Sequence, residues 1–347
     1  MKTLKSNLAL VCIVCLLCGV LCGFVWLVGG DAVFAVGQEE TVAASVASAE
    51  PSKPADAALT LVERDEKLAT RLAARSLQPV TRTVAVGVDA SDYTQTATCT
   101  YAPVYVDDVF GGYCYVLDDV AYAAIPNYCD MLGLACAVEQ SEDGTMQYTV
   151  DDAVISIGYG DTIYTANGRY FYVPDGVKAL DGQIVLPLAE LQKIFGAAAA
   201  YDAEDVCIAV DTANLAMLED GDSYYARYDL YWLSRIIFAE SGNQPMTGMI
   251  GVGNVILNRV ASASFPSTIQ GVIFDTRGGT TQFTPVSMGS IYNTPSEQAV
   301  LAAKLCLDGA NTVGGALYFI NPSACNGSWF NSTLTCVAVI GDHVFYA

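Results

Sequence analysis

Glu240 follows Ile236, Ile237, Phe238 and Ala239 and is itself followed by Ser241, Gly242 and Asn243. A carboxyl at a helix end with apolar predecessors, if it faces a cleft, is held in its protonated form, because desolvation penalises the ionised one. That is the state a general acid needs. The same spacing also describes an ordinary solvated glutamate at a helix terminus, and the residues alone leave both readings open. Other chemistries have fewer materials. His343 is the only histidine and no CxxC pair occurs beyond Cys22, so a zinc site lacks a ligand set. No run has the Asp, Asn and Gly spacing of a calcium loop.

The elements around Glu240 can be read from periodicity. Asp229 is placed to cap a helix whose apolar positions Leu230, Leu233, Ile236 and Ile237 keep helical spacing and which ends at Glu240. A second helix is expected from Pro245 to about Ala261, with Met249, Val252, Ile256 and Val260 on one face. Its glycines, Gly248, Gly251 and Gly253, point to close packing of helix against helix. Thr294-Pro-Ser-Glu297 reads as a capping box with proline at the first helical position, opening a third helix that stops at Gly309. Ala316 to Ile320 reads as a strand, and Val337 to Ile340 with His343 to Tyr346 as a hairpin turning at Gly341-Asp342. This unit is expected to be α+β and mostly helical.

The chain has 347 residues, 53% hydrophobic and only 15% charged, which suits two folded units plus a targeting segment and excludes a disordered or collagen-like chain. Sixteen basic against 37 acidic side chains leave a net charge of -21, so nucleic acid is excluded as a partner. From Ser223 onward the basic Arg227, Arg235, Arg259, Arg277 and Lys304 nearly balance the acidic Asp229, Glu240, Asp275, Glu297, Asp308 and Asp342. The acidity therefore lies upstream, where it reads as a solvated surface.

Lys2 and Lys5 precede 21 uncharged residues, Leu8 to Val28, long enough to span a bilayer as a helix. With Asp31, Glu39 and Glu40 beyond it, this segment directs the rest of the chain out of the cytoplasm. Residues 1–34 are thus expected to be a signal peptide, cut near the small residues Val33 and Ala35, or a retained membrane anchor. Cys18 and Cys22 each follow Leu, which argues against a lipoprotein anchor. Residues 35–98 are expected to be a linker or stalk: Ala35 to Asp92 contains no Trp, Tyr, Phe or Cys, and only Ala58 to Ala74 has a helical stripe. Eight cysteines lie beyond the apolar segment, and Cys325 with Cys336, around a Gly, Ser and Asn-rich loop, is the expected bridge.

Between Cys99 and about Thr212 a pattern occurs twice. Val120-Ala-Tyr-Ala-Ala-Ile-Pro126 leads to Met131-Leu-Gly133, and Gln183-Ile-Val-Leu-Pro187 leads to Ile194-Phe-Gly196. Each copy reads as a strand, a proline near a helix start, a short helix closed by glycine, and a further strand, Ala135 to Glu139 or Ala198 to Asp202. Strands at Ala153 to Tyr159 and Gly168 to Val173 fill the interval. These residues resemble the copper amine oxidase N-terminal-like domain, placed at 99–222. The resemblance implies a repeated small α+β module serving wall attachment or scaffolding, or a spacer without a ligand. No histidine lies in the region, so no copper site is expected.

Residues 223–347 carry a more specific likeness. Leu233-Ser-Arg-Ile-Ile-Phe-Ala-Glu240-Ser-Gly, Gly251-Val-Gly-Asn-Val-Ile-Leu-Asn-Arg-Val260, Phe265-Pro, Gly271-Val-Ile, Gln282-Phe-Thr-Pro-Val286, Gly314-Gly-Ala-Leu-Tyr-Phe-Ile-Asn-Pro322, Trp329 and Ile340-Gly-Asp-His343-Val-Phe-Tyr346 resemble the SleB-like cell wall hydrolases. The resemblance implies a lysozyme-like fold and lytic transglycosylase activity on the bond between N-acetylmuramic acid and N-acetylglucosamine of peptidoglycan, with no cofactor and no metal. It puts the catalytic acid on Glu240. Gln282, Tyr318, Asn321, Trp329 and His343 become candidates to bind sugars, against packing or turn roles. Hydrolysis by a muramidase or glucosaminidase, which usually needs a second carboxylate such as Asp275 or Asp342, is the alternative, as is an inactive wall-binding scaffold. The partners implied are peptidoglycan glycan strands, and the membrane if the N-terminal segment is retained. The protein is expected to act outside the cytoplasm, secreted or anchored at the wall.

Overall fold

The computed structural model describes residues 77–88, 95–202, 206–225, 228–277, 279–324 and 328–347. The expected export segment, most of the stalk with its helix at Ala58 to Ala74, and Cys325 lie outside the described residues. The described part divides into two compact units. One ends at Leu230 and includes Leu307–Ala310; the other comprises Tyr231–Cys306 and Asn311–Ala347. The division falls inside a helix, eight residues beyond the expected boundary at 222.

In the first unit an eight-stranded sheet takes, in order across it, the strands that begin at residues 80, 178, 183, 120, 109, 95, 207 and 198. The strand Val80–Val86 pairs with both Lys178–Leu180 and Gln95–Val106, so six of these strands close into a ring. Val84, Cys99, Tyr115, Tyr122, Ala124, Leu180 and Val185, drawn from all six, fill its interior. This corrects the stalk expected to reach residue 98. Val84 and Cys99 are 1% and 2% exposed because they face the barrel interior, which the first strand closes. A five-stranded antiparallel meander, from Ala137 to Tyr172, completes the unit.

The two strand and helix pairs read from sequence lie side by side. Strand β1 (Val120–Ala124) runs into helix α1 (Ile125–Leu132), with Pro126 in its first turn and Gly133 left-handed beyond it at φ 72. Strand β2 (Gln183–Pro187) runs into helix α2 (Leu188–Phe195), where Gly196 at φ 68 does the same. β1 and β2 pair antiparallel, Val185 opposite Ala124. The likeness ends there. The strand after α1, Ala137–Gln140, belongs to the meander, whereas the strand after α2, Ala198–Asp202, joins the large sheet. Much of the upstream acidity serves the turns: Asp107-Asp108, Asp118-Asp119 and Asp151-Asp152 all have positive φ, the conformation that two-residue hairpins require and that Asp tolerates.

The second unit is built round a central helix. Helix α3 (Tyr228–Ser241) buries Leu233, Ile236 and Ile237, and Ile237 meets helix α4 (Met246–Ala261) at Gly253. Asp229 lies within the first turn of α3 and does not precede it, contrary to the expected cap. Every residue of α4 from Gly248 to Ile256 is buried. Gly253 makes the expected helix contact, since a Cβ there would lie 2.6 Å from Cys306 Sγ and 2.9 Å from Ile237 Cδ1. Gly251 instead admits the sheet, with Phe345 Cζ 2.8 Å from where its Cβ would be. Helix α5 (Glu297–Leu307) starts later than the capping box predicts. Ser296 Oγ accepts the Ala299 amide at 3.2 Å, so Ser296 caps it and Thr294 does not.

Strands β3 (Tyr318–Ile320), β4 (Cys336–Ile340) and β5 (His343–Tyr346) form an antiparallel sheet in the order β3, β5, β4. The expected hairpin is β4 and β5, and the strand expected over Ala316 to Ile320 is its third member. Cys336 is exposed on β4, and the bridge expected with Cys325 falls outside the described residues.

Candidate active site

Helix α3 stops directly after Glu240 for local reasons. Ser241 Oγ donates to the Ile237 carbonyl at 2.8 Å, the Gly242 amide to Phe238 O at 3.0 Å, and the Gln244 amide to Ser241 O at 2.9 Å. A Cβ at Gly242 would lie 2.6 Å from Phe238 O, so the tight exit needs glycine. Glu240 is half-buried in the last turn, where the carbonyl end of the helix opposes negative charge. Burial pushes its carboxyl from the ordinary 4.5 up to about 7, while the Arg259 charge pulls the other way and loses.

Arg259 was not singled out from sequence as a site residue. It sits near the end of α4, 7% exposed, while the expected apolar Val260 beside it is half-buried. Its Nε donates to the Leu317 carbonyl at 2.8 Å, and its guanidinium lies 5.0, 5.2 and 5.5 Å from the rings of Phe265, Phe283 and Tyr318. Burial lowers its pKa to about 10, so it stays charged at neutral pH. Asn254 and Asn258 on the same helix bind the chain that leads to β3. Asn254 Oδ1 accepts the Thr312 amide at 3.0 Å, and Asn258 Nδ2 donates to Gly314 O and Ala316 O at 2.8 and 2.9 Å. One helix thus fixes both Arg259 and the segment carrying Tyr318. The available signal was the one charged residue of a helix that is otherwise uncharged.

Tyr318 is half-buried, its ring 6.4 Å from Phe265. Gln282 is half-buried directly before Phe283, and its amide donates to the Asp275 carbonyl at 3.1 Å. Tyr318 and Phe283, the residue beside Gln282, therefore meet around Arg259, whose charge also acts on Glu240. Asn321 Oδ1 accepts the Ser323 amide at 3.0 Å, a turn contact. Trp329 is on the short helix Ser328–Thr333, and its side chain lies outside the described residues. His343 is buried at 6% exposure, with its ring 5.3 Å from Phe319 and 6.1 Å from Phe345. Burial lowers its pKa, so the ring is a neutral packing element of the sheet and offers little surface to a ligand.

Two other carboxylates have partners of their own. Asp275 pairs with Arg277 Nε at 2.8 Å, and Arg277 also donates to Ser264 O at 2.7 Å. Asp342 Oδ2 accepts from Gln244 Nε2 at 3.1 Å, while its amide donates to Gln244 Oε1 at 2.9 Å. Among the described residues no three His, Cys, Asp or Glu side chains converge as a metal site would require.

Residues 243–346 match the family model described as Cell Wall Hydrolase, a span that opens three residues after Glu240. The chain is 40% identical over 121 residues to a spore cortex-lytic enzyme of Bacillus cereus, covering 35% of this chain and 45% of that protein. It is 34% identical over 146 residues to a spore cortex-lytic enzyme of Halalkalibacterium halodurans, covering 42% of this chain and 41% of that protein. The chain therefore spans less than half the length of these relatives. The crystal structure of the catalytic domain of the Bacillus cereus SleB protein is 39% identical, with 34% of this chain and 89% of that one covered and a TM-score of 0.31. The C-terminal part of this chain, residues 243–346, is thus similar to cell wall hydrolase domains and to spore cortex-lytic enzymes.

Proposed function

We propose that the C-terminal unit cleaves the glycan strands of peptidoglycan, at the bond between N-acetylmuramic acid and N-acetylglucosamine, as a lytic transglycosylase. The observation that carries this reading is a half-buried glutamic acid whose carboxyl is pushed up to about 7, while Asp275 and Asp342 are already committed to other partners. Glu240 gives its proton to the bridging oxygen as the bond from that oxygen to C1 of the muramyl residue breaks. The resulting carboxylate then takes the proton of the same sugar's 6-hydroxyl, whose oxygen bonds to C1 and closes a 1,6-anhydro ring. The acid is regenerated protonated, and no water is consumed. The spore cortex-lytic relatives support peptidoglycan as substrate.

Arg259 supplies a fixed positive charge near the carboxylate form of Glu240, with Tyr318 and Gln282 placed on the segments around it. The export segment read from sequence puts the activity outside the cytoplasm. The first unit, by its resemblance to copper amine oxidase N-terminal-like domains, spaces or attaches the enzyme at the wall. Digestion of purified sacculi followed by mass spectrometry tests the proposal. Fragments ending in anhydromuramic acid are expected; reducing ends would instead indicate hydrolysis. Sacculi that bind the protein and release nothing would indicate a scaffold.

A further inference from the structure

The six-stranded barrel of the first unit has a pocket at one end, of about 460 Å³, lined by Arg82, Tyr101, Tyr113, Asn127, Asp130 and Met131 among others. Strand pairing explains its position. Arg82 lies opposite Cys99, and Tyr101 opposite Tyr115, so these side chains share the barrel's inward face with buried Cys99 and Tyr115. Where the interior packing stops, the same face becomes the pocket wall, and barrel mouths are common ligand sites. Helix α1 closes one side with Asn127, Asp130 and Met131. Gly112 also lines it, at φ 155 and against the Met131 side chain, whose Cε would lie 2.8 Å from a Cβ there.

Two opposite charges face this pocket without neutralising each other. Arg82 is exposed and makes no ion pair with a described residue; its guanidinium lies 4.8 Å from the Tyr101 ring. That ring is itself fixed, since Tyr101 donates its hydroxyl to Asp181 Oδ2 at 3.0 Å and Asp181 Oδ1 accepts the Ala85 amide at 3.0 Å. Asp130 is also exposed and unpaired among the described residues. Tyr113 is 40% exposed and braced edge-on by Phe110 at 5.2 Å. A cation held on a tyrosine face and an anion on a helix, both left open across one concave surface, match a ligand that carries a carboxylate and an ammonium together.

We propose that this barrel mouth binds the α-amino-carboxylate head of a short peptide, with Arg82 receiving the carboxylate and Asp130 the ammonium. The peptides of the wall that end in a free diamino acid have that chemistry, so the choice of source rests on the peptidoglycan reading above. The unit would then hold uncross-linked wall peptides while the second unit works on glycan.

Titration calorimetry of the full chain with L-alanyl-γ-D-glutamyl-meso-diaminopimelate tests this. Saturable binding is expected, weakened about tenfold or more by Arg82→Gln, by Asp130→Asn, or by amidating the ligand's side-chain carboxylate. Both substituted positions are exposed, and circular dichroism checks that the variants fold. Absence of saturable binding, equal binding by the double variant, or binding of chitotetraose in place of the peptide would overturn the proposal. Glu240→Gln should leave this binding unchanged. Release of wall fragments is measured separately, so fragment release without peptide binding sinks only the pocket, and peptide binding without release sinks only the proposed catalysis.

Discussion

Replacing Glu240 by Gln keeps the side chain's shape and removes its proton equilibrium. The carboxyl moves from 4.5 to about 7 on folding, which at 1.36 kcal/mol per tenfold in proton affinity is a preference for the protonated form of about 3 kcal/mol. The folded value lies above the unfolded one, so the folded protein binds more protons over that interval. Its stability is full below 4.5, is lost as pH rises towards 7, and levels off above that at the lower value. Glutamine has no such loss. The substitution should therefore be nearly neutral at about pH 4 and stabilising by up to about 3 kcal/mol at about pH 8, on the order of 10 °C in the melting of a unit this size. Calorimetric melting of both proteins at the two pH values, with sacculus digestion in parallel, reads the effect. Fragment release should fall by about 10^2 to 10^4 in rate. Equal melting at the higher pH, or a loss of stability at both, would refute the claim that a desolvated acid sits at this position; retained release would reject its catalytic role.

Wild-type fragment release should decline as pH rises through about 7, where Glu240 loses the proton it must donate. Arg259→Met should move that decline to higher pH, since the charge that favours the carboxylate is gone. It should also cost about 2 to 4 kcal/mol in urea unfolding, because the Leu317 carbonyl loses its donor and three rings lose their cation. Gly253→Ala should destabilise by about 1 to 3 kcal/mol in the same assay, since its methyl meets Cys306 and Ile237. Ser296→Ala should cost about 1 kcal/mol while Thr294→Ala stays within about 0.5, which distinguishes the two candidate caps of α5.

The amino-acid sequence by itself determined the parts that depend on neighbours a few residues apart. The helix ending at Glu240, the left-handed glycines 133 and 196, and the hairpin turning at Gly341-Asp342 are legible because capping, periodicity and turn chemistry act within one or two turns of chain. The cap of α5 is ambiguous locally, since Thr294 and Ser296 are both acceptable caps, and it is Ser296 that accepts the Ala299 amide.

Only the tertiary structure decided what surrounds the acid. Whether Glu240 is dry depends on elements that arrive from elsewhere in the chain, and burial of Arg259 among Phe265, Phe283 and Tyr318 has no local signature. The barrel is likewise invisible to a local reading. Val80–Val86 lacks aromatic residues and reads as tether, yet the amide of Ala85 is held by Asp181, 96 residues away. Short-range preferences choose elements; which of their polar groups lose water is settled by contacts between distant segments, and that loss is what gives a carboxyl its chemistry.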